Sequence, residues 1–281
     1  MKNIIIAISL FVAPYKMFCQ DIVLDKAYLR CQYEHSYMKD TIDQSTYQDL
    51  IYLQIGKNIS KNYSYYTFLS DSLTKTPNGK QVWQEMFNKS LEVLKNTGDR
   101  TKWRNSFPHR RGTTFVYKNY PEGEMTVTDA ITSDHVIYQD VLNAQDWEII
   151  DSTKKILDYE CQKAQCYFRG RQWTAWFAPG IPISDGPWKF GGLPGLITEV
   201  YDQAKQYYFS IIGLEKVDDE PILFSQPISE NAKHIPIDRK EFLKAQIRHL
   251  SGSVSILNVE TGIPFGNNKP IYRDLIECDY R

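Results

Sequence analysis

Hydrophobic and polar residues alternate along most of this chain. Between Val23 and Tyr37, Ala27, Leu29, Cys31 and Tyr33 fall on one side, and Tyr28, Arg30, Gln32 and Glu34 fall on the other. That period of two marks a half-buried strand. Tyr47 to Ile55 repeats it up to Gly56-Lys57-Asn58, and Tyr63 to Phe68 reads as a third strand. The period then changes. After Pro77-Asn78-Gly79, residues Val82, Trp83, Met86, Phe87, Leu91 and Leu94 recur at three- and four-residue intervals, giving a helix with one apolar face that stops at Gly98. This spacing predicts a helix capping the protein's own sheet. A helix that binds a partner is the alternative.

Beyond a polar, tryptophan-containing connection (101–112), short strands return at 113–120, 124–131 and 135–142, with turns at Pro121-Glu122-Gly123 and Thr132-Ser133-Asp134. Runs at 147–150, 155–160, 161–168, 171–177, 196–201 and 207–217 continue the series. Tight turns between consecutive strands require antiparallel pairing, because a parallel pair needs a long crossover. Near the end, Asp238 caps a second helix whose stripe is Phe242, Leu243, Ile247 and Leu250, with Gly252 as its stop. An extended tail follows. The pattern predicts a mainly β (α+β) protein: one large curved antiparallel sheet, half-barrel or sandwich, with about two helices.

One stretch breaks the alternation. Between Ala178 and Gly195 stand four of the chain's 13 prolines and five of its 15 glycines. Ile181, Ile183, Trp188, Phe190 and Leu193 lie between them, so the stretch reads as a loop anchored to a core by its own apolar side chains. Pro194 and Gly195 fit the central positions of a type II turn. Around the loop, the sequence carries Cys161-x-x-Ala164, Gly170-Arg171, Ala175-Trp176-Phe177, Ile181-Pro182 and Gly186-Pro187-Trp188-Lys189-Phe190, then Gly192-Leu193-Pro194-Gly195-Leu196-Ile197. This region, about Asp158 to Asp202, resembles the GLPGLI family of exported Bacteroidetes envelope proteins. The resemblance implies export and no assigned activity, catalytic residue or cofactor. The tail, Asn268-Lys269-Pro270-Ile271-Tyr272, departs from the family's ending.

The first residues support export. Lys2, an apolar run from Ile4 to Val12, and a break at Pro14 describe a signal peptide over 1–19, leaving one β-rich domain over 20–281. Lys16 argues against lipidation at Cys19, and no later apolar run approaches the ~20 residues of a membrane span. Lysine plus arginine (33) balance aspartate plus glutamate (34), which argues against nucleic acid as a partner. The one basic patch, Lys102, Arg104, His109, Arg110 and Arg111, reads as a solvated loop. In an exported chain Cys31, Cys161, Cys166 and Cys278 are disulfide candidates with three possible connectivities. Cys161 and Cys166 share a strand and oppose each other's direction, so bonds to Cys31 and Cys278 would tie both termini to that strand. Neither paired cysteines nor paired histidines show zinc spacing.

No nucleophile elbow or phosphate loop is spelled out, and His35, His109, His135, His234 and His249 are scattered. The candidate binding residues therefore belong to the loop: Trp176, Asp185, Trp188, Lys189, Phe190, Leu193, Pro194 and Gly195. The expected function is a non-catalytic envelope module for an apolar small molecule, a peptide or a partner protein, with no cofactor. The alternative is a hydrolase of peptide or glycan that pairs Asp185 with Lys189, or Arg171 with Glu199.

Overall fold

The computed structural model describes residues 22–42, 44–227, 232–251 and 271–280. The first-residue signal, Gly252 and most of the tail lie outside them. Twelve strands form one open sheet: β1 (Ile22–Asp40), β2 (Ser45–Gly56), β3 (Ser60–Ser64), β4 (Phe115–Lys118), β5 (Glu124–Ile131), β6 (Asp134–Val141), β7 (Glu148–Ile156), β8 (Tyr159–Phe168), β9 (Arg171–Ala178), β10 (Leu196–Asp202), β11 (Tyr207–Phe224) and β12 (Ile235–Pro236). Their order across the sheet is β12-β6-β5-β4-β3-β2-β1-β11-β10-β9-β8-β7. Two antiparallel meanders, β1 to β6 and β7 to β11, are thus joined by pairing of β1 with β11. These are the longest strands, at 19 and 18 residues. Among the described strands only β12 pairs in parallel, with β6.

The alternation read from β1 holds from Leu29 onward. Leu29, Cys31 and Tyr33 are buried on the sheet's inner face, whereas a bulge between Ala27 and Leu29 turns Ala27, also buried, to the other face. Register carries that face across the sheet: Cys31 pairs with Leu53, Leu53 with Asn62, Asn62 with Val116, and Val116 with Val127. A second core lies on the outer face, where Tyr63, Phe115, Tyr117 and Phe224 meet Phe68. Lys61 is buried among these rings, 4.8 Å from the Tyr63 centroid, and donates to the Leu223 carbonyl (2.8 Å) and Ser225 Oγ (2.9 Å).

Among the described residues four helices occur where the pattern predicts two: α1 (Tyr65–Lys75), α2 (Pro77–Thr97), α3 (Arg100–Asn105) and α4 (Arg239–Leu250). The third expected strand ends at Ser64, whose hydroxyl accepts from Thr67 N and starts α1 (3.3 Å). Capping there overrides the strand preference of Tyr65, Tyr66 and Phe68. Asp99 likewise starts α3 by accepting from Lys102 N, inside the stretch read as connection. α2 runs from a cap at Thr76 to the expected stop at Gly98, which takes the left-handed conformation (φ 64°). It packs on α1 and α3, however, and α1 is the helix that meets β2 and β3. α4 begins at the Asp238 cap and buries Phe242 and Leu243, with Phe242 5.7 Å from Tyr138 of β6. Between β7 and β8 the turn falls at Leu157-Asp158, so the run expected at 155–160 belongs to two strands.

Among the described residues no disulfide joins Cys31, Cys161, Cys166 or Cys278, which corrects the expected cross-links. Sheet order supplies the reason, since β11, β10 and β9 separate Cys31 on β1 from Cys161 and Cys166 on β8. At about 4.8 Å per strand that spacing exceeds the reach of a disulfide. Cys278 does return to the β8–β9 turn, but through its backbone N, which donates to the Arg169 carbonyl (2.8 Å). Burial pushes the Cys31 and Cys166 thiols up to about 12.

Candidate functional site

The loop from Pro179 to Gly195 crosses the inner face of the sheet from β9 to β6. It first folds on itself: Leu196 N donates to the Ile181 carbonyl (3.0 Å) and Ile197 N to the Asp185 carbonyl (2.9 Å). Asp185 and Gly191 form a bridge. Phe190 and Leu193 are fully enclosed, with Phe190 edge-on to Trp173 at 4.7 Å. Trp188 also packs against Trp173 (6.2 Å), whereas Trp176 lies against Lys154 (4.5 Å). As strand alternation requires, only one tryptophan of β9 joins Trp188.

Pro194 and Gly195 do not make a type II turn. Gly195 N donates to the Leu193 carbonyl (2.8 Å), closing a three-residue turn around Pro194. Gly195 is required for close approach, since a Cβ there would lie 2.3 Å from the Ala178 carbonyl oxygen. Trp188 has the left-handed conformation at φ 51°, which is strained for a bulky side chain and is held by its buried ring contacts.

Asp185 and Lys189 do not pair with each other. Lys118 of β4 reaches up to the loop and donates to Asp185 Oδ1 (2.6 Å) and to the carbonyls of Gly186 (2.7 Å) and Phe190 (2.5 Å). Burial lowers the Lys118 pKa, although Asp185 opposes the shift. Lys189 is 1% exposed. It donates to Asp140 Oδ2 (2.7 Å), Tyr138 Oη (3.2 Å) and Glu277. Arg239 joins Glu277 and Asp279, and Arg169 joins Asp140 and Asp279. Three cations and three carboxylates thus lock the loop, β6, the β8–β9 turn, α4 and the C-terminal segment together. Burial works against the Lys189 charge, but Glu277, Tyr138 and Asp140 override it and hold the pKa above its usual value. Burial likewise opposes ionisation of Asp279, yet Arg239 and Arg169 bring it down to about 2.

The second expected pair is also redistributed. Arg171 bonds Asp202 (2.9 Å) and the Leu275 carbonyl (2.7 Å), while Glu199 bonds Lys154 (2.7 Å). Every charged group singled out in or near the loop therefore has a partner that anchors the fold.

An open space lies next to the loop, at the far end of the same inner face. A cleft of about 220 Å³ is enclosed by β1, β2, β3 and β11, the 111–114 segment, the C-terminal segment and Trp188. Trp188 is the one residue chosen from sequence that faces it. Cross-strand register builds its wall in two rows, Tyr47-Tyr37-Tyr207 and Asp49-His35-Phe209. His35 stacks on Phe209 at 3.9 Å and 5°, and Tyr37 on Tyr207 at 6.1 Å and 12°. Burial brings the His35 pKa down to about 3, so the ring is neutral, and its buried Nε2 has no partner. Asp49 accepts from Ser64 Oγ (2.9 Å), Gly112 N (3.1 Å) and Leu50 N (2.8 Å). Burial outweighs these bonds and pushes its pKa up to about 6. Asp129, held by Thr113, Thr114 and Ala130 N, is also raised by burial.

These residues were missed because they come from distant segments. One signal was present: the inward phase of β1 runs on from Cys31 and Tyr33 to His35 and Tyr37, and that of β2 includes Asp49. Of the basic stretch read as solvated, Lys102 and Arg104 are exposed, but His109, Arg110 and Arg111 are half-buried, with Arg111 3.6 Å over Tyr66 and Arg110 3.0 Å from Asp71. The fold likewise brings together two histidines that are far apart in sequence, His135 and His234, at 6.3 Å. Among the described residues no group of three or more His, Cys, Asp or Glu is placed to hold a metal ion, and no helix is long and apolar enough to cross a membrane.

Fold and site together define an open-sheet β protein with an ion-locked loop beside an aromatic cleft. Residues 169–199, from the β8–β9 turn through the loop into β10, match the model of a Bacteroidetes-associated family described as a protein of unknown function, Porph_ging. No curated protein matches the chain. Two solved structures of PNGF-II, in the C2 and P21 space groups, resemble it at 13% identity with TM-scores of 0.47 and 0.48. They cover 76% and 77% of this chain, which spans 31% and 33% of theirs, about a third of their length.

Proposed function

We propose that the protein is an exported, non-catalytic binding module of the cell envelope that takes a small amphipathic molecule in the cleft. One observation carries the reading: about 220 Å³ of space lies against the stacked His35, Phe209, Tyr37 and Tyr207 rings and the strained Trp188. An apolar cavity of about 150 Å³ already accepts benzene, so a one-ring compound has room here. Aromatic walls with a few fixed polar groups are the usual make-up of a ligand site. Binding is favoured over hydrolysis because Asp185, Lys189 and Arg171 are engaged in structural ion pairs away from one another. The loop contributes Trp188 as one wall and otherwise holds the site's neighbours in place.

Native mass spectrometry of the mature protein, purified gently from its own envelope, tests this reading. The expected spectrum has a retained small-molecule adduct that disappears on denaturation. A clean apo mass, together with no binding by one-ring compounds added afterwards, contradicts the proposal.

A further inference from the structure

The cleft's polar groups are distributed unevenly, and their placement indicates the charge of what binds. Its two carboxylates are set into the wall and occupied. Asp49 (4% exposed) and Asp129 (7%) are held by hydroxyl and backbone N–H donors, as described above. An entering molecule meets guanidinium groups instead. Arg111 is held in place by the Tyr66 ring and by its Nη1 bond to the Gln48 carbonyl (2.8 Å), and Arg273 lies 5.1 Å over Tyr37. Both line the cleft, from segments far apart in sequence. Guanidinium groups already oriented by stacking lose little freedom when they pair with a planar anion. Arg111 belongs to the basic stretch that sequence alone reads as a solvated loop.

We infer that the cleft selects a small organic carboxylate bearing a ring, its charge held by Arg111 and Arg273 and its ring lying against Tyr207 and Phe209. The inference rests on the reading of the cleft as a binding site. It excludes cationic ligands, which the arginines repel, although the aromatic wall alone would suit them.

Isothermal titration calorimetry of the full chain with 3-phenylpropionate and with 3-phenylpropionamide tests it, since the two differ in charge but hardly in shape. The acid is expected to bind at least about tenfold more tightly, as a charge-assisted pair requires. Arg273→Gln should erase that preference by bringing the affinity for the acid down to that for the amide. Arg111→Gln is the second variant, should the first unfold. Equal affinity for acid and amide overturns the charge selection and leaves the cleft standing as a site. A preference that survives in both variants also overturns the inference, because the anion then sits elsewhere. Failure of both compounds to bind at about 10 mM sinks this inference and the binding reading together.

Discussion

The two ends of the inner face are built on the same strands and behave as opposites. At one end, over Cys31 and Tyr33, the loop fills all the space, and its two ions are consumed by Lys118 and by the six-membered charge cluster. At the other end, over His35 and Tyr37, the strands carry polar and aromatic residues and nothing covers them completely. The contrast teaches that the stretch most conspicuous in the sequence is a clasp, and that the place with room for a ligand is the unremarkable continuation of a strand pattern. Conspicuous prolines and glycines report backbone constraint, and constraint here serves packing.

Substitutions at the clasp should be the most costly. Lys189→Met leaves Asp140 and Glu277 buried without their shared cation, and chemical denaturation should show a loss of about 3–5 kcal/mol. A loss under about 1 kcal/mol would mean that the cluster is solvated. Gly195→Val drives a side chain into the Ala178 carbonyl and should cost about 3 kcal/mol by the same measurement. Unchanged stability there would disprove the close approach.

The two ends should also respond oppositely to pH. Asp49 has a raised pKa, so its contribution is fully present below 3.8 and is lost as pH rises through about 6. The stability of wild type relative to Asp49→Asn should therefore fall between about pH 4 and about pH 7, by at most about 3 kcal/mol. Taking this difference cancels the opposing contribution of His35, whose lowered pKa makes acid destabilising. Asp279, with its pKa brought down to about 2, contributes stability above 3.8 that is lost as pH falls through about 2. A wild-type to Asp49→Asn difference that is flat over this range would place Asp49 in solvent. The smallest effect belongs to the open end: Gln246→Leu, at the cleft's rim on α4, should change stability by no more than about 0.5 kcal/mol.

Much of the fold was legible because it rests on local periodicity. Period two identified the strands of both meanders, and α2 and α4 followed from their apolar stripes, with Gly98 as a stop and Asp238 as a cap. What local patterns could not supply was which strands meet. Pairing of β1 with β11 brings His35 against Phe209 from opposite ends of the chain, and no turn signal announces it. The same long-range pairing separates Cys31 from Cys161 and Cys166. Around α1, the tyrosines at 65 and 66 favoured a strand until the Ser64 cap decided otherwise. The site was legible only through Trp188. Its other walls come from β1, β2, β11, the basic segment and the C-terminal segment, which only the folded sheet assembles.

Hydrogen exchange of the unliganded protein, followed by mass spectrometry, tests the contrast between clasp and cleft most directly. The account predicts that amides from Asp185 to Ile197 exchange as slowly as those of β1 and β11, while those of 111–114 and 271–276 exchange faster and slow down when a ligand binds. Faster exchange in the loop than along the cleft wall would contradict it.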